Sequence, residues 1–80
     1  MKFIIVGIYD TWFGYSININ GKLYNSDSKI GKEIYKKYWE NDDNRITKFY
    51  NYLLEKYKDY DLIAVCEDGY TEIIKYNKGE

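Results

Sequence analysis

The one thiol of the chain, Cys66, is followed directly by Glu67 and Asp68. Neighbouring carboxylates disfavour the thiolate, which is the reactive form. The position therefore reads as a small apolar strand residue rather than a nucleophile. Histidine is absent, which removes the commonest general base and, with a single cysteine, any cysteine–histidine zinc set. Carboxylates are plentiful, at Asp10, Asp27, Asp42, Asp43, Asp59, Asp61 and Asp68, but each falls at a turn or a helix cap. Asp10 and Asp68 would meet only if two hairpin tips lie together. The run Asp42-Asp43-Asn44 lacks the glycine and the distal glutamate of a calcium loop, and reads as a helix cap. There is no phosphate loop and no dinucleotide fingerprint. The residue types predict no catalytic site, no metal and no cofactor.

Aromatic side chains are what the chain does have: 11 tyrosines, 3 phenylalanines and 2 tryptophans in 80 residues. The first of them sit in a hairpin that organises the rest. Residues 2–9 and 12–19 read as two strands around Asp10-Thr11. In that register Tyr9 lies opposite Trp12, Ile8 opposite Phe13, Gly7 opposite Gly14, and Ile4 opposite Ile17. A longer loop over 9–12 keeps the same pairing, and is preferred because threonine resists the positive φ of a tight turn. Directly opposed residues share a face. One face carries Ile4, Val6, Ile8, Phe13, Tyr15, Ile17 and Ile19, an uncharged core face. The other carries Phe3, Ile5, Gly7, Tyr9, Trp12, Gly14, Ser16 and Asn18, where a solvated strand would place charges. Gly7 facing Gly14 leaves a shallow gap between aromatics, the kind of place where a ligand or another backbone approaches. The alternative is a sheet bend, or packing against a tyrosine from elsewhere in the chain.

The remaining elements follow in order. Asn20-Gly21 is a hairpin turn, so 22–24 is a short edge strand returning on 17–19, with Lys22 protecting the edge. Asp27 or Ser28 caps a helix running to about residue 40. Its inner stripe is Ile30, Ile34 and Tyr38, with Tyr35 and Trp39 beside it. Lys29, Lys32, Lys36 and Lys37 occupy the outer face, diluted by Glu33 and Glu40, and read as solvated. A second helix spans about 45–58, with Ile46, Phe49, Tyr50, Leu53, Leu54 and Tyr57 on one stripe. Strands 62–67 and 70–76 form a second hairpin around Asp68-Gly69, pairing Ala64 with Ile73 and Ile63 with Ile74. The tail from 77 is polar.

Together these predict one α+β domain over 1–80: a mixed sheet of two hairpins plus a short edge strand, with two helices inserted between the hairpins. The two most apolar strands, 3–9 and 62–66, belong side by side in the middle. Both helices cover one sheet face, which also takes Ala64. The other face is left with Phe3, Ile5, Tyr9, Trp12, Ile63, Val65 and Ile74, unless one helix crosses over to fill it. The net charge of −1 gives no general attraction to nucleic acid. No stretch approaches a membrane span, and a free cysteine without an export signal points to the cytoplasm.

An apolar sheet face of that size predicts a partner, anchored by Phe3, Ile5, Tyr9, Trp12, Gly7, Gly14, Tyr70 and Tyr76, since tyrosine and tryptophan most often anchor interfaces. Size, acidic pI, tyrosine density and the lack of catalytic groups resemble the small phage-encoded inhibitors of bacterial defence, including anti-CRISPR proteins. That resemblance lies in overall character, with no shared motif. It implies a non-catalytic module that occludes a host protein from within the host cytoplasm, or a homodimer through the open face. Two other readings stay open. One is a nucleotide-binding sponge stacking a base against the aromatic–glycine face, with Lys29, Lys32, Lys36 and Arg45 as phosphate donors. The other is a single-stranded nucleic-acid binder, which the charge disfavours.

Overall fold

A computed structural model describes residues 1–11, 14–39, 45–67 and 69–77. The order is β1 (Phe3–Thr11), β2 (Gly14–Ile19), β3 (Lys22–Asn25), α1 (Lys29–Tyr38), α2 (Arg45–Lys56), β4 (Leu62–Glu67) and β5 (Tyr70–Tyr76). The five strands form one sheet in the order β3-β2-β1-β4-β5. β1 and β4 are parallel neighbours at the centre, and every other pair is antiparallel. The α+β class, the insertion of both helices between the hairpins, and the central placing of the two most apolar strands all match the expectation. No helix is long and apolar enough to cross a membrane among the described residues.

The first hairpin corrects the predicted register. Thr11 pairs with Gly14, Tyr9 with Ser16, Gly7 with Asn18, Ile8 with Ile17 and Val6 with Ile19. The partners are shifted by four residues from the predicted pairing, so Asp10 and Thr11 belong to the strand. Three interactions lock this alignment at the far end. The Asn20 amide N–H donates to the Ile5 carbonyl at 3.0 Å. The Ile5 N–H donates to Asn20 Oδ1 at 2.7 Å, and Asn20 Nδ2 donates to the Phe3 carbonyl at 3.2 Å. The side chain of Asn20 thus continues the ladder where β2 ends. Asn20 itself sits at φ 52° and Gly21 at φ 91°, the left-handed pair of a tight primed turn. Because the shift is by an even number, the described side chains of β1 and β2 keep their predicted faces.

Ser28 caps α1, its Oγ accepting the Gly31 N–H at 3.0 Å. Gly31 is required at that point: a Cβ there would stand 2.6 Å from the Asn25 carbonyl oxygen. The helix ends at Tyr38, with Trp39 as its C-cap and Lys36 and Lys37 in the last turn, where they complement the helix dipole. α2 also stops two residues short of expectation, at Lys56. Both helices lie on one side of the sheet. Ile34 and Tyr38 from α1 and Phe49 and Leu53 from α2 meet Ile4, Val6, Ile8, Ile17, Ile63 and Val65 in one buried cluster. Tyr15 stacks on Tyr35 with ring centroids 3.7 Å apart, which ties β2 to α1.

Strand β4 faces the opposite way from prediction. Its parallel register puts Ile4 beside Ile63, Ile5 beside Ala64 and Val6 beside Val65. Ile63 and Val65 therefore belong to the core, fully buried, and Ala64 belongs to the open side. β4 is apolar on both faces, so its own pattern does not say which face is inner; the alignment with β1 decides it. The pairing of β4 with β5 runs as predicted from Glu67–Tyr70 to Ala64–Ile73, then shifts, so that Ile63 pairs with Lys75. Ile74 is the extra residue of this bulge and packs partly against the core instead of facing Ile63 from the open side.

Candidate functional site

The registers define the composition of the face that the helices leave bare. β1 contributes Phe3, Ile5, Gly7 and Tyr9; β2 contributes Gly14, Ser16 and Asn18; β3 contributes Leu23 and Asn25. β4 adds Leu62, Ala64 and Cys66, and β5 adds Thr71, Ile73 and Tyr76. None of these residues is charged. Six large apolar side chains stand in solvent there: Phe3 at 45%, Ile5 at 37%, Tyr9 at 39%, Leu23 at 65%, Ile73 at 59% and Tyr76 at 55% of full exposure. They are densest where β1, β4 and β5 run side by side. Phe3, Leu62 and Tyr76 form one row across the sheet, and Ile5, Ala64 and Ile73 the next. Ala64 is only 4% exposed although no helix covers it, because the larger side chains around it close over it.

The predicted glycine gap does not form. Gly7 pairs with Asn18, and Gly14 pairs with Thr11. The space beside Gly7 is taken by Tyr9 of the same strand: a Cβ on Gly7 would lie 2.8 Å from the Tyr9 hydroxyl oxygen. Tyr9 therefore folds back along its own strand, and Gly7 is the residue that lets it lie close. The space beside Gly7 is thus filled from within β1.

Of the other predicted anchors, Phe3, Ile5, Tyr9 and Tyr76 share the bare face. Tyr70 does not. It lies on the helix side, where its hydroxyl donates to Glu72 Oε1, the same oxygen that accepts from the Tyr50 hydroxyl of α2 at 3.1 Å. Trp12 is outside the described residues. Leu23, Leu62, Ala64 and Ile73 are members of the face that sequence reading missed. Their signal is the two-residue alternation counted outward from β1, once the partner alignments are known.

On the helix side, several titratable groups bond one another. Glu33 of α1 accepts from the Tyr52 hydroxyl and from Lys56 Nζ at 3.0 Å, both on α2. The Tyr52 hydrogen bond, followed by that of Lys56, holds the Glu33 carboxyl below its ordinary range. Burial, then the hydrogen bond to Glu33, pushes the Tyr52 hydroxyl well above the usual phenol range. Burial and Glu72 do the same to Tyr50. Tyr52 and Lys56 also line a cleft of about 560 Å³, with Lys37, Lys48, Asn51 and Glu55. Its cations are not the Lys29, Lys32 and Lys36 named as phosphate donors, and the Arg45 side chain is outside the described residues.

Cys66 lies half-buried on the bare face, where its Sγ accepts from Thr71 Oγ1 at 3.4 Å. The Asp10 side chain and Asp68, which would meet only if the hairpin tips lie together, are outside the described side chains. Among the described residues no group of three acids or cysteines is placed to hold a metal ion. In comparisons with known proteins, no protein-family model, no curated protein and no solved structure matches this chain.

Proposed function

We propose that this chain is a non-catalytic protein-binding module that docks through the bare sheet face and acts by covering a partner's surface. One observation carries the reading: among the described residues, six large apolar side chains stand exposed on a five-stranded face that holds no charge. Soluble proteins seldom leave a contiguous apolar patch of this extent without a use for it. Aromatic anchors ringed by near-neutral contacts are the usual energetic centre of an interface, and Phe3, Tyr9 and Tyr76 fit that role. The small phage-encoded inhibitors that the sequence resembles supply the class of partner: a protein of the host's defence machinery, met in the host cytoplasm.

Quantitative capture tests this. Immobilised wild-type protein should retain a defined host protein, and the double variant Phe3→Ala/Tyr76→Ala should retain it at least tenfold less. Both side chains are exposed, so the variant should keep its circular dichroism spectrum and its thermal midpoint. Equal capture by a folded double variant would overturn the reading.

A further inference from the structure

We infer that a second copy of this chain is an occupant of the bare face, with two sheets packed face to face as a sandwich. This rests on the docking-face reading above and names one partner for that same surface.

The first support is electrostatic. In a two-fold interface each residue meets its own symmetry mate or a near neighbour of it, so any charge close to the axis confronts the same charge. Directly opposed like charges are destabilising. The bare face is free of charge from β3 to β5, which is the condition a self-contact needs.

The second support is area. At the observed exposures, the six large apolar side chains present on the order of 600 Å². With Ser16, Asn18, Leu62, Cys66 and Thr71 added, the face approaches the roughly 800 Å² per partner that stable complexes bury.

The third support is shape. Tyr9 lies back over Gly7 and fills the space beside that glycine. Two such surfaces can approach to the roughly 10 Å spacing of stacked sheets, with their strands within about 30° of parallel. The helices then face outward with the lysines and carboxylates, and a net charge of −1 per copy adds little repulsion.

Self-association covers the same side chains that a foreign partner would need. The dimer is therefore a resting form, and binding of another protein competes with it.

Sedimentation equilibrium across a concentration series tests this, with wild type, Ile73→Lys and Leu23→Lys. Both substitutions lie at exposed positions near opposite edges of the face. The expected result is a concentration-dependent dimer in wild type, with dissociation constants raised at least tenfold in both variants while their circular dichroism is unchanged. Maleimide labelling of Cys66, the only cysteine, should slow as wild-type concentration rises and not in the variants. A wild type that stays monomeric overturns the inference, as does a dimer that neither lysine weakens. A monomer that still captures a protein through Phe3 and Tyr76 overturns the second copy alone and leaves the docking face standing. Loss of that capture with an intact dimer does the reverse.

Discussion

Two glycines show how differently the same residue can be used. Gly31 sits where α1 passes the Asn25 carbonyl, and an added methyl would meet that backbone oxygen at 2.6 Å and the Ser28 cap at 2.7 Å. In an exposed helix, glycine to alanine would gain about 1 kcal/mol. Here the sign should reverse, with Gly31→Ala losing about 1–3 kcal/mol in urea denaturation, because rigid backbone must move. Gly7→Ala meets only the tip of the Tyr9 ring, which can swing away, so its loss should be smaller. The Tyr52–Glu33–Lys56 contact makes a second prediction, on pH. Glu33 is held below its ordinary range, so its contribution is full above the unfolded carboxyl pKa of about 4.3 and is lost as pH falls through the lower folded value. Tyr52 is raised, so its contribution is full below the unfolded pKa of about 10 and is lost as pH rises toward the folded value. Glu33 and Lys56 remain part-exposed at 40% and 31%, and solvent screening keeps the effect small. Tyr52→Phe should lower stability by about 1 kcal/mol near neutral pH. The difference from wild type should shrink both below about pH 4 and above about pH 10. A difference independent of pH would mean that Tyr52 acts through packing alone.

At the level of elements, the boundaries that chemistry marks clearly were the legible ones. Asn20-Gly21, Ser28 and the apolar stripe of α2 each carry a local physical signal, and the corresponding turn, cap and helix stand where that signal puts them. The hairpin register was not legible, because an even slip, here of four residues in the partner, keeps the described side chains on their faces and leaves the hydrophobic pattern unchanged. What selects the observed pairing is the Asn20 side chain bonding Ile5 and Phe3, a contact that alternation cannot reveal. The orientation of β4 was hidden for a similar reason: both of its faces are apolar, so only its alignment with β1 distinguishes them. Asn20→Gly isolates the registering contact, since glycine keeps the left-handed turn and removes only the side-chain amide. The expected loss is about 1–2 kcal/mol, with faster amide exchange at Ile5. Unchanged exchange at Ile5 would show that the backbone bonds alone hold the register.

Across the whole molecule, polarity is divided between two sides. The helix side carries charged groups such as Glu33, Lys36, Lys48 and Glu72 and seals Phe49, Leu53, Ile34 and Ile63 against the sheet, whereas the described residues of the sheet's other side are uncharged and largely apolar. This division was legible in outline from the alternation of β1, which places Phe3, Ile5 and Tyr9 together. The extension of the face to Leu23, Leu62 and Ile73 was not, because it depends on long-range pairing. The central claim is that function resides on that open side. Its most direct test is to map amide shifts of the isotopically labelled protein on titration with the partner recovered by capture. The account predicts perturbations at Phe3, Ile5, Tyr9, Ile73 and Tyr76, with Lys32, Lys36 and Lys48 on the helices unaffected. Perturbations confined to the helix side, with the sheet face unchanged, would contradict it.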